Sequence, residues 1–324
     1  MGIGSGETQL TKIAVDAMGG DYAPHEVIKG AVEASREFGN LEIVLVGPRE
    51  TIEKELRQYP TDGLKITTIS AEEVVAMDED PVRAIRRKPN SSIVVGINLV
   101  KNREAQAFVS GGSTGAVAAA SLLILGRQKR IARPALGAMF ESPKGPAMLL
   151  DVGANADCKP QNLLQFAQMG SAYMHRIHGI ENPRVGLLSS GEESTKGNKL
   201  TRTAHLLLAK SSLNFIGNVE GRDIPVGAAD VVVTDGFTGN VVIKLAEGLA
   251  AMLSEFLKNS HSGSSLLKDK RLLNHTAGAM LLGVDGNVII THGKSDSAMI
   301  KYSIQLAGRM IEQKVTEAIA SAVA

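Results

Sequence analysis

Residues 105–126 read AQAFVSGGSTGAVAAASLLILG and contain no charged side chain. The first residues are a short apolar run, the centre is the glycine-rich segment Ser110–Gly115, and the rest is long enough for a helix of about three turns. The whole run could cross a membrane by length alone. Because the glycine centre divides it, we predict instead a buried strand, a tight loop and a helix.

The same alternation of short apolar runs and helical patterns continues on both sides of this stretch. We predict further strands at Lys12–Asp16, Leu41–Val46, Lys65–Ile69, Ala135–Glu141, Ala147–Asp151, Arg184–Ser189 and Val231–Thr234, with Ala107–Ser110 as the strand of the quoted stretch. Amphipathic segments at 24–38 and 161–178, closed by Gly39 and Gly179, predict helices. Strands that are apolar on both faces and are followed by helices indicate a mostly parallel sheet between helices. The predicted fold class is therefore α/β, a three-layer αβα architecture.

The composition excludes several classes of protein. The 324 residues are 44% apolar and carry a formal net charge of +1, so no overall field attracts nucleic acid. Aromatic residues make up 3% and tryptophan is absent, which leaves little for base stacking. The single cysteine, Cys158, excludes an internal disulfide and is typical of a protein from the reducing cytoplasm.

The organisation of the chain indicates one domain. Residues 1–11 are polar and glycine-rich, with neither the basic start nor the apolar core of a signal peptide, and read as a disordered extension or cloning remnant. No repeat, low-complexity tract or proline-rich linker divides the remainder. We predict a single domain over residues 12–324.

Three predicted strands run into an aspartate and then into a loop of small residues. These segments are Val15–Gly20, Leu150–Asn155 and Thr234–Asn240. In a parallel sheet such loops emerge at the carboxyl edge, where ligand crevices form. We predict that they line one cleft through Asp16, Gly19, Gly20, Asp151, Asn155 and Asp235.

The glycine loop Ser110–Gly115 could hold an anion. It lies between a strand and a helix, where exposed amides and the positive end of the helix dipole favour negative charge. It lacks the lysine of a Walker loop and the spacing of a dinucleotide fingerprint. Phosphate binding by Gly111, Gly112, Ser113 and Thr114 and a purely structural turn are both open at this point.

Two more polar residues follow predicted strands. Lys196 lies in a glycine-bounded loop after Arg184–Ser189 and could neutralise a phosphate or an oxyanion, although a solvated loop lysine is the commoner case. Asn240 stands near the start of a helix and could cap that helix or donate to an oxyanion. The histidines form no metal-ligand pattern and Cys158 lacks a nucleophile signature, so we predict neither a metal site nor a covalent intermediate.

A basic cluster follows the acidic segment Asp78–Pro81. It consists of Arg83, Arg86, Arg87 and Lys88. A solvated charged face explains such a run, and so does a dock for an acidic protein. A second cluster at 127–133 allows the same two interpretations.

Taken together, these motifs resemble a known family. Segments 15–24, 110–116, 150–160, 185–198, 214–223, 235–240 and 282–286, in this order, are similar to the phosphate:acyl-ACP acyltransferases (PlsX) of bacterial phospholipid synthesis. The chain departs from the family pattern at Gly112-Ser113 and at Ser189-Ser190, and both departures leave Lys196 in place. Residues 1–11 have no family counterpart.

The resemblance implies a fold related to the isocitrate and isopropylmalate dehydrogenases and a reaction without a cofactor. Phosphate would attack the thioester of acyl carrier protein and release the pantetheine thiolate, as a first committed step toward phosphatidic acid. Under this resemblance Lys196 and Asn240 are the expected catalytic pair, and Gly111, Gly112, Ser113 and Thr114 hold phosphate. Asp16, Asp151 and Asp235 are expected to shape loops rather than bind metal.

The resemblance also implies a cytoplasmic homodimer, with a membrane surface and a downstream glycerol-3-phosphate acyltransferase as further contacts. Residues 250–282 read as a helical hairpin with an apolar edge. A membrane contact and helices buried at a dimer interface both explain that pattern. A coenzyme A-dependent phosphate acetyl- or butyryltransferase, a dehydrogenase of the related fold and a non-catalytic carrier-binding scaffold are the competing functions.

Overall fold

A computed structural model of the chain describes residues 10–259 and 278–323. These residues form two compact units. The first unit comprises the described residues up to Gly126 together with Gly286–Glu312, and the second comprises Arg127–Asp285 and the residues from Gln313 onward, as far as they are described. Because the chain leaves the first unit and later returns to it without a proline-rich linker, composition could not mark this division. That the two units act as one catalytic domain stays a prediction.

The described strands and helices alternate along the chain. The strands are β1 Thr11–Asp16, β2 Leu41–Gly47, β3 Ile66–Ser70, β4 Ala107–Ser110, β5 Ala135–Ser142, β6 Gly145–Leu150, β7 Val185–Leu188, β8 Phe215–Val219, β9 Val231–Val233, β10 Ala279–Leu282 and β11 Asn287–Ile290. The helices are α1 His25–Glu37, α2 Arg49–Leu56, α3 Pro81–Arg87, α4 Ser92–Lys101, α5 Thr114–Ile124, α6 Pro160–His178, α7 Lys199–Ala209, α8 Gly236–Asn259, α9 Ser297–Glu312 and α10 Val315–Ala322.

The first unit is built on a wholly parallel sheet. The strand order is β3-β2-β1-β4-β11, and each neighbouring pair runs in the same direction. In β1 the consecutive residues Ile13, Ala14 and Val15 are all buried, so both faces of the sheet are covered. Helices α1 and α9 pack together, and so do α4 and α5.

The second unit has a mixed sheet in the order β10-β5-β6-β9-β7-β8. Strands β6, β9, β7 and β8 are parallel, whereas β5 runs antiparallel to both β6 and β10. Helix α6 packs against α7, α10 and the sheet, and α8 contacts β5 and β6. Gly179 ends α6 in the left-handed conformation, with a φ of 69°, as its place in the sequence predicted.

The eight predicted strands are confirmed, and so are the predicted helices at 24–38, at 161–178 and after the glycine loop; where bounds were predicted, the ends differ by at most two residues. A mostly parallel α/β architecture is confirmed with them. Strands β8, β10 and β11 were not predicted; Gly217 and Asn218 interrupt the apolar run of β8, and β10 fell within the predicted hairpin at 250–282.

Two predicted boundaries were wrong in part. Thr11 belongs to β1, so the predicted N-terminal extension is too long at that end; residues 1–9 lie outside the described residues. The predicted hairpin at 250–282 includes Ala279–Leu282, which form β10 and pair with β5. A short apolar run suits a buried strand as well as a helix, which explains the error. Residues 250–259 continue α8, and residues 260–277 of the predicted hairpin lie outside the described residues.

Candidate active site

Three parallel strands of the first unit end at the same edge of its sheet. Val15 of β1 pairs with Val109 of β4, and Ser110 pairs with Ile290 of β11. Because these strands run in one direction, the segments that follow Asp16, Ser110 and Ile290 leave the sheet side by side. Ligand crevices form at this kind of edge in α/β proteins. The first aspartate loop and the glycine loop are therefore neighbours.

Buried hydrogen bonds join these two loops. The Ser110 hydroxyl donates to Oδ2 of Asp16 at 2.7 Å, and the same hydroxyl oxygen accepts from the N–H of Gly112 at 3.0 Å. The other carboxylate oxygen of Asp16 accepts from the N–H of Met18 at 3.1 Å. Asp16 thus fixes the shape of both loops.

The carboxyl group of Asp16 lies in an environment that opposes its charge. Its side chain is almost fully buried, and this burial raises the pKa of Asp16 above the ordinary aspartate value. Hydrogen bonds from Ser92 and Ser110 and from the backbone of Met18 and Gly19 lower the pKa but do not offset burial. Ser92, to which the sequence assigned no role, is part of this network.

The N-terminus of α5 presents backbone N–H groups next to the Asp16 network. Ser113 is the N-cap, and its side chain accepts from the N–H of Ala116 at 3.4 Å. No described residue accepts a hydrogen bond from the N–H of Ser113, Thr114 or Gly115. Unpaired N–H groups and the positive end of the helix dipole together favour an anion at this point.

The structure changes one member of the predicted phosphate-binding set. The N–H of Gly112 is already bonded to Ser110 and is not available to a ligand. Gly115, which the sequence did not single out, provides an N–H in the first turn of α5 instead. Sequence spacing could not reveal which amide a neighbouring side chain would occupy. Gly111, Ser113 and Thr114 keep their predicted place in the loop.

Glycines at two positions let the aspartate loop lie against the glycine loop. A Cβ atom on Gly19 would lie 2.6 Å from the nitrogen of Gly112 and 2.9 Å from that of Gly111, closer than side-chain carbons approach. Gly20 has a φ of +111°, which side chains of L residues rarely adopt. The close approach of the loops therefore requires glycine at both positions.

A cavity of about 190 Å³ opens beside Asp16 and Gly112 within the first unit. Its other walls are largely apolar and include Met18, Val74, Val75, Met77 and Ile93. A space of this size takes only a small part of an organic substrate. The sequence did not indicate this cavity, because residues 74–77 follow β3 rather than one of the glycine-rich loops.

Helix α3 lies against the N-terminus of α5. A Cβ atom on Gly115 would come within 2.8 Å of Cγ of Pro81, the first residue of α3. The side chains of Arg83, Arg86 and Arg87 on α3 are exposed, and none of them forms an ion pair with another described residue. Three uncompensated positive charges thus lie on the helix adjacent to the unpaired N–H groups.

Lys88, the fourth member of the predicted docking cluster, is engaged differently. Its ammonium group donates to Oε1 of Glu79 at 2.5 Å and to the carbonyl oxygen of Val74 at 2.8 Å. The hydrogen bond from Lys88 lowers the pKa of the half-buried Glu79 carboxyl. Lys88 therefore holds the preceding loop, and only the three arginines remain free for an acidic partner.

The second unit repeats the arrangement of loops at one sheet edge. Val233 of β9 pairs with both Leu150 of β6 and Leu187 of β7. The segments that follow these parallel strands leave the sheet side by side. They carry the predicted residues Asp151, Asp235 and Lys196.

Asp151 is fully buried and accepts five hydrogen bonds. The donors lie 2.8 to 3.0 Å away and are the N–H groups of Leu136, Gly153, Ala154 and Asn155 and the amide of Asn155. Burial nevertheless raises the pKa of Asp151 above the ordinary value. The carboxyl group ties β5 to the loop after β6 and shapes that loop.

Asn155 joins two of these loops. Its side-chain nitrogen donates to the carbonyl oxygen of Pro134 at 2.7 Å. Its main-chain carbonyl oxygen accepts a hydrogen bond from the N–H of Gly236 at 2.8 Å. The two carboxylate oxygens of Asp235 accept from the N–H and the hydroxyl of Thr238 in the first turn of α8. Asp151, Asn155 and Asp235 are thus brought together, and each has a structural task.

Asn240 lies in the second turn of α8 and does not cap it. Its amide nitrogen donates to the carbonyl oxygen of Val152 at 3.1 Å, and a Cβ atom on Gly153 would lie 3.0 Å from the same nitrogen. Of the two predicted alternatives for Asn240, the helix cap is therefore excluded, because Asp235 bonds to the first turn of the helix instead. The second N–H of the Asn240 amide remains for another acceptor.

Lys196 is exposed at the end of the loop after β7. Its N–H donates to the carbonyl oxygen of Glu193 at 3.0 Å. A Cβ atom on Gly191 would lie 2.8 Å from Cγ of Lys196, so the aliphatic stem of the lysine crosses the glycine. Gly197 follows with a φ of +88°. The ammonium group forms no ion pair with any described residue.

Cys158 is a poor nucleophile in this environment. Burial, with a further contribution from the charge of Asp151, raises the pKa of its thiol to about 11. The thiol is therefore protonated near neutral pH, whereas the thiolate is the reactive form. A structural role fits this residue.

Glu192, Glu220 and Asp223 are the described carboxylates that lie close enough together to share a metal ion. Arg222 already contacts Glu220 at 2.5 Å and Glu192 at 3.9 Å. Because this arginine compensates two of the three charges, we assign no metal to the group.

One described helix segment, Gly236–Leu253 of α8, has the length and composition of a membrane span. Only 17% of it is buried, so it is not a core helix. The exposed apolar side chains of α8 include Phe237, Val241, Leu245 and Phe256. Length and composition alone are weak support for a span.

Sequence comparison relates almost the whole chain to one family. The family described as fatty acid synthesis protein matches residues 11–318. A phosphate acyltransferase of Clostridium novyi is 45% identical over 96% of this chain and 98% of its own length. A phosphate acyltransferase of Desulforamulus reducens is 48% identical over 96% of both chains.

Solved structures share the fold at low sequence identity. A phosphotransacetylase from Streptococcus pyogenes superposes with a TM-score of 0.66 at 19% identity and covers 96% of each chain. A 4-hydroxythreonine-4-phosphate dehydrogenase from Klebsiella pneumoniae superposes with a TM-score of 0.56 at 12% identity, over 94% of this chain and 98% of its own.

Proposed function

This chain belongs to the phosphate acyltransferase family, and from that premise we propose that it transfers a fatty acyl group from acyl carrier protein to inorganic phosphate. Family membership makes the chain an acyltransferase; the acyl carrier protein donor and the place of the reaction as the first committed step toward phosphatidic acid are our proposal. The observation that carries the proposal is the row of unpaired N–H groups at residues 113–115, which suits a phosphate dianion.

The proposed reaction is a direct displacement at a thioester. An oxygen of HPO₄²⁻ attacks the carbonyl carbon, a C–O bond forms, and the carbonyl oxygen becomes an oxyanion. Collapse of this intermediate breaks the C–S bond and releases the pantetheine sulfur, which takes up the proton that phosphate loses. The products are acyl phosphate and the free thiol of the carrier. Because the nucleophile is already anionic, the protein has to orient it and to stabilise the new charge.

We assign the phosphate to the glycine loop of the first unit. The N–H groups of Ser113, Thr114 and Gly115 and the exposed hydroxyl of Thr114 are its proposed donors, with Gly111 allowing close approach. Asp16 contributes through Ser110, which fixes the loop. The Gly19 and Gly20 backbone lets the two loops pack together.

Lys196 and Asn240 are the proposed catalytic pair of the second unit. An exposed ammonium group without an ion-pair partner among the described residues can stabilise an oxyanion. The free N–H of the Asn240 amide can donate to the same developing charge. Asp151, Asn155 and Asp235 support Asn240 by fixing the loop after β6 and the start of α8, the helix on which Asn240 lies.

Arg83, Arg86 and Arg87 form the proposed dock for acyl carrier protein, an acidic partner. They are exposed on α3, whose first residue packs against Gly115. This position would bring the carrier close to the proposed phosphate donors. Lys88 is left out of the dock because Glu79 and Val74 occupy its ammonium group.

The remaining elements of the proposal concern assembly and location. A fold related to the isocitrate and isopropylmalate dehydrogenases is supported by the likeness to a dehydrogenase structure. The exposed apolar side chains of α8 support contact with a second copy in a homodimer or with a membrane surface. We place the enzyme in the cytoplasm, where its product would pass to a glycerol-3-phosphate acyltransferase. No cofactor enters the proposed reaction.

The proposed function is tested by phosphate-dependent release of carrier thiol from palmitoyl-ACP, measured beside palmitoyl-CoA and acetyl-CoA. We expect release from palmitoyl-ACP that requires orthophosphate and falls about 100-fold in Lys196→Ala. Lys210→Ala, at the C-terminal end of α7, is the matched control and should keep full activity. Activity confined to acetyl-CoA would move the assignment to a coenzyme A-dependent transacylase, and carrier binding without turnover would favour a scaffold.

A further inference from the structure

Asn218 uses every hydrogen-bonding group of its side chain to hold the loop that carries Lys196. It lies in β8 and is 7% exposed. Its amide nitrogen donates to the carbonyl oxygens of Gly191 at 3.2 Å and Glu193 at 2.9 Å. Its amide oxygen lies 2.9 Å from Nδ1 of His205 on α7. Both N–H groups of this amide and its oxygen are thus engaged within the protein.

His205 sets the direction in which Asn218 faces. An amide oxygen can only accept, so Nδ1 of His205 must carry the proton in this contact. The imidazole is itself held edge-on against the ring of Phe215, with centroids 5.1 Å apart and an interplanar angle of 77°. With its oxygen turned toward His205, the Asn218 amide must point both N–H groups at the loop.

Lys196 is anchored to the loop at the two points that Asn218 holds. The carbonyl oxygen of Glu193 accepts from Asn218 and also from the N–H of Lys196, at 3.0 Å. The stem of Lys196 crosses Gly191, whose carbonyl oxygen is the other acceptor of Asn218. The backbone and the stem of the lysine are therefore both fixed through one buried amide.

We propose that Asn218 is a positioning residue for the reaction, one that sets the place of the Lys196 ammonium group without touching substrate. This inference rests on the proposed function, because it assumes that Lys196 stabilises charge in the transition state. Displacement of a catalytic group by about 1 Å can cost 100-fold in rate. An asparagine inside a strand is uncommon, and this was the signal in the sequence that could have singled it out.

The test uses Asn218→Asp, which keeps the oxygen that faces His205 and replaces both donors by an oxygen aimed at two carbonyls. Asn214→Asp is the matched control, since its amide donates to the carbonyl oxygen of Asn182 and not to this loop. Asn218→Ala, which removes the donors without adding a charge, serves if the first variant does not fold. The full chain is assayed for turnover, and hydrogen exchange is followed over residues 190–197.

We expect kcat to fall about 100-fold in Asn218→Asp with KM for acyl-ACP within about 3-fold of the parent, and exchange over 190–197 to become faster. In a Lys196→Ala background the same substitution should cost less than about 2-fold, because a residue that acts through Lys196 has nothing left to position. An undiminished loss in that background, or unchanged exchange, would overturn the proposal. If Lys196→Ala alone keeps full activity, Lys196 has no catalytic role and that part of the proposed function is wrong. The exchange measurement then decides separately whether Asn218 holds the loop.

Discussion

The Ser110 hydroxyl oxygen lies 2.7 Å from Oδ2 of Asp16, although the two residues are 94 positions apart in the chain. The contact is possible because β1 and β4 are parallel neighbours that end together. The Ser110 hydroxyl oxygen in turn accepts a hydrogen bond from the N–H of Gly112, so the position of Asp16 also determines that of Gly112. One buried carboxyl group thereby determines how the glycine loop enters α5.

Ser110→Ala should loosen the glycine loop. The substitution leaves the N–H of Gly112 without its acceptor and removes a donor from Asp16, so we expect a loss of about 1–3 kcal/mol in the free energy of unfolding. We also expect KM for phosphate to rise several-fold. Ser121→Ala is the control, because the Ser121 hydroxyl donates to Val117 within α5 and not to the loop. Urea unfolding and phosphate titration check both effects; equal KM values in the two variants would contradict this role.

The buried carboxyl of Asp16 should give stability a measurable pH dependence. Its folded-state pKa is raised, so the folded protein holds the proton at pH values where the unfolded chain, with a pKa of about 3.9, has lost it. Its contribution to stability is thus full below the unfolded pKa and is lost as pH rises through the folded pKa. Asp16→Asn lacks this titration. Its free energy of unfolding relative to the parent should therefore increase from pH 4 upward.

Urea unfolding of the parent and Asp16→Asn at several pH values tests this expectation. Asp62→Asn, an exposed carboxyl outside the network, controls for the change in net charge. A difference between the parent and Asp16→Asn that stays constant across the range would show that burial does not control this group.

Gly19→Ala should be far more damaging than an alanine at an open glycine. The new methyl group would lie 2.6 Å from both Oδ2 of Asp16 and the nitrogen of Gly112, so the two loops would have to separate. Overpacking of this kind costs about 1–3 kcal/mol. We expect a lower melting temperature and weaker phosphate binding, as followed by thermal unfolding with and without phosphate. Gly39→Ala, where nothing lies within 4 Å, should be near neutral; similar losses in both variants would argue against close loop packing.

Arg86→Glu and Arg87→Glu together should weaken binding of acyl carrier protein. Reversal of two exposed charges beside the proposed phosphate site should raise KM for acyl-ACP about 10-fold or more at low salt and leave KM for acyl-CoA nearly unchanged. The salt dependence of KM should also decrease. Arg57→Glu, at the exposed end of α2, is the control. An equal rise in KM for both acyl donors would place the carrier elsewhere.

The local alternation of strands, loops and helices was readable from the sequence because it depends on neighbours along the chain. The run at 105–126 predicted β4, the glycine loop and α5 for that reason. Ordered motifs over most of the chain also pointed to the family, as the comparisons confirm. The sequence by itself thus determined the architecture and the class of reaction.

Only the tertiary structure decided which polar groups are already occupied. Gly112 and Lys88 were predicted to contact ligands. In the structure the N–H of Gly112 donates to Ser110, and the ammonium group of Lys88 donates to Glu79. Asn218 carried no predicted role, although its amide holds two carbonyls more than twenty residues away. Hydrogen-bond partners depend on how distant segments meet in space, and periodicity and spacing along a chain do not contain that information.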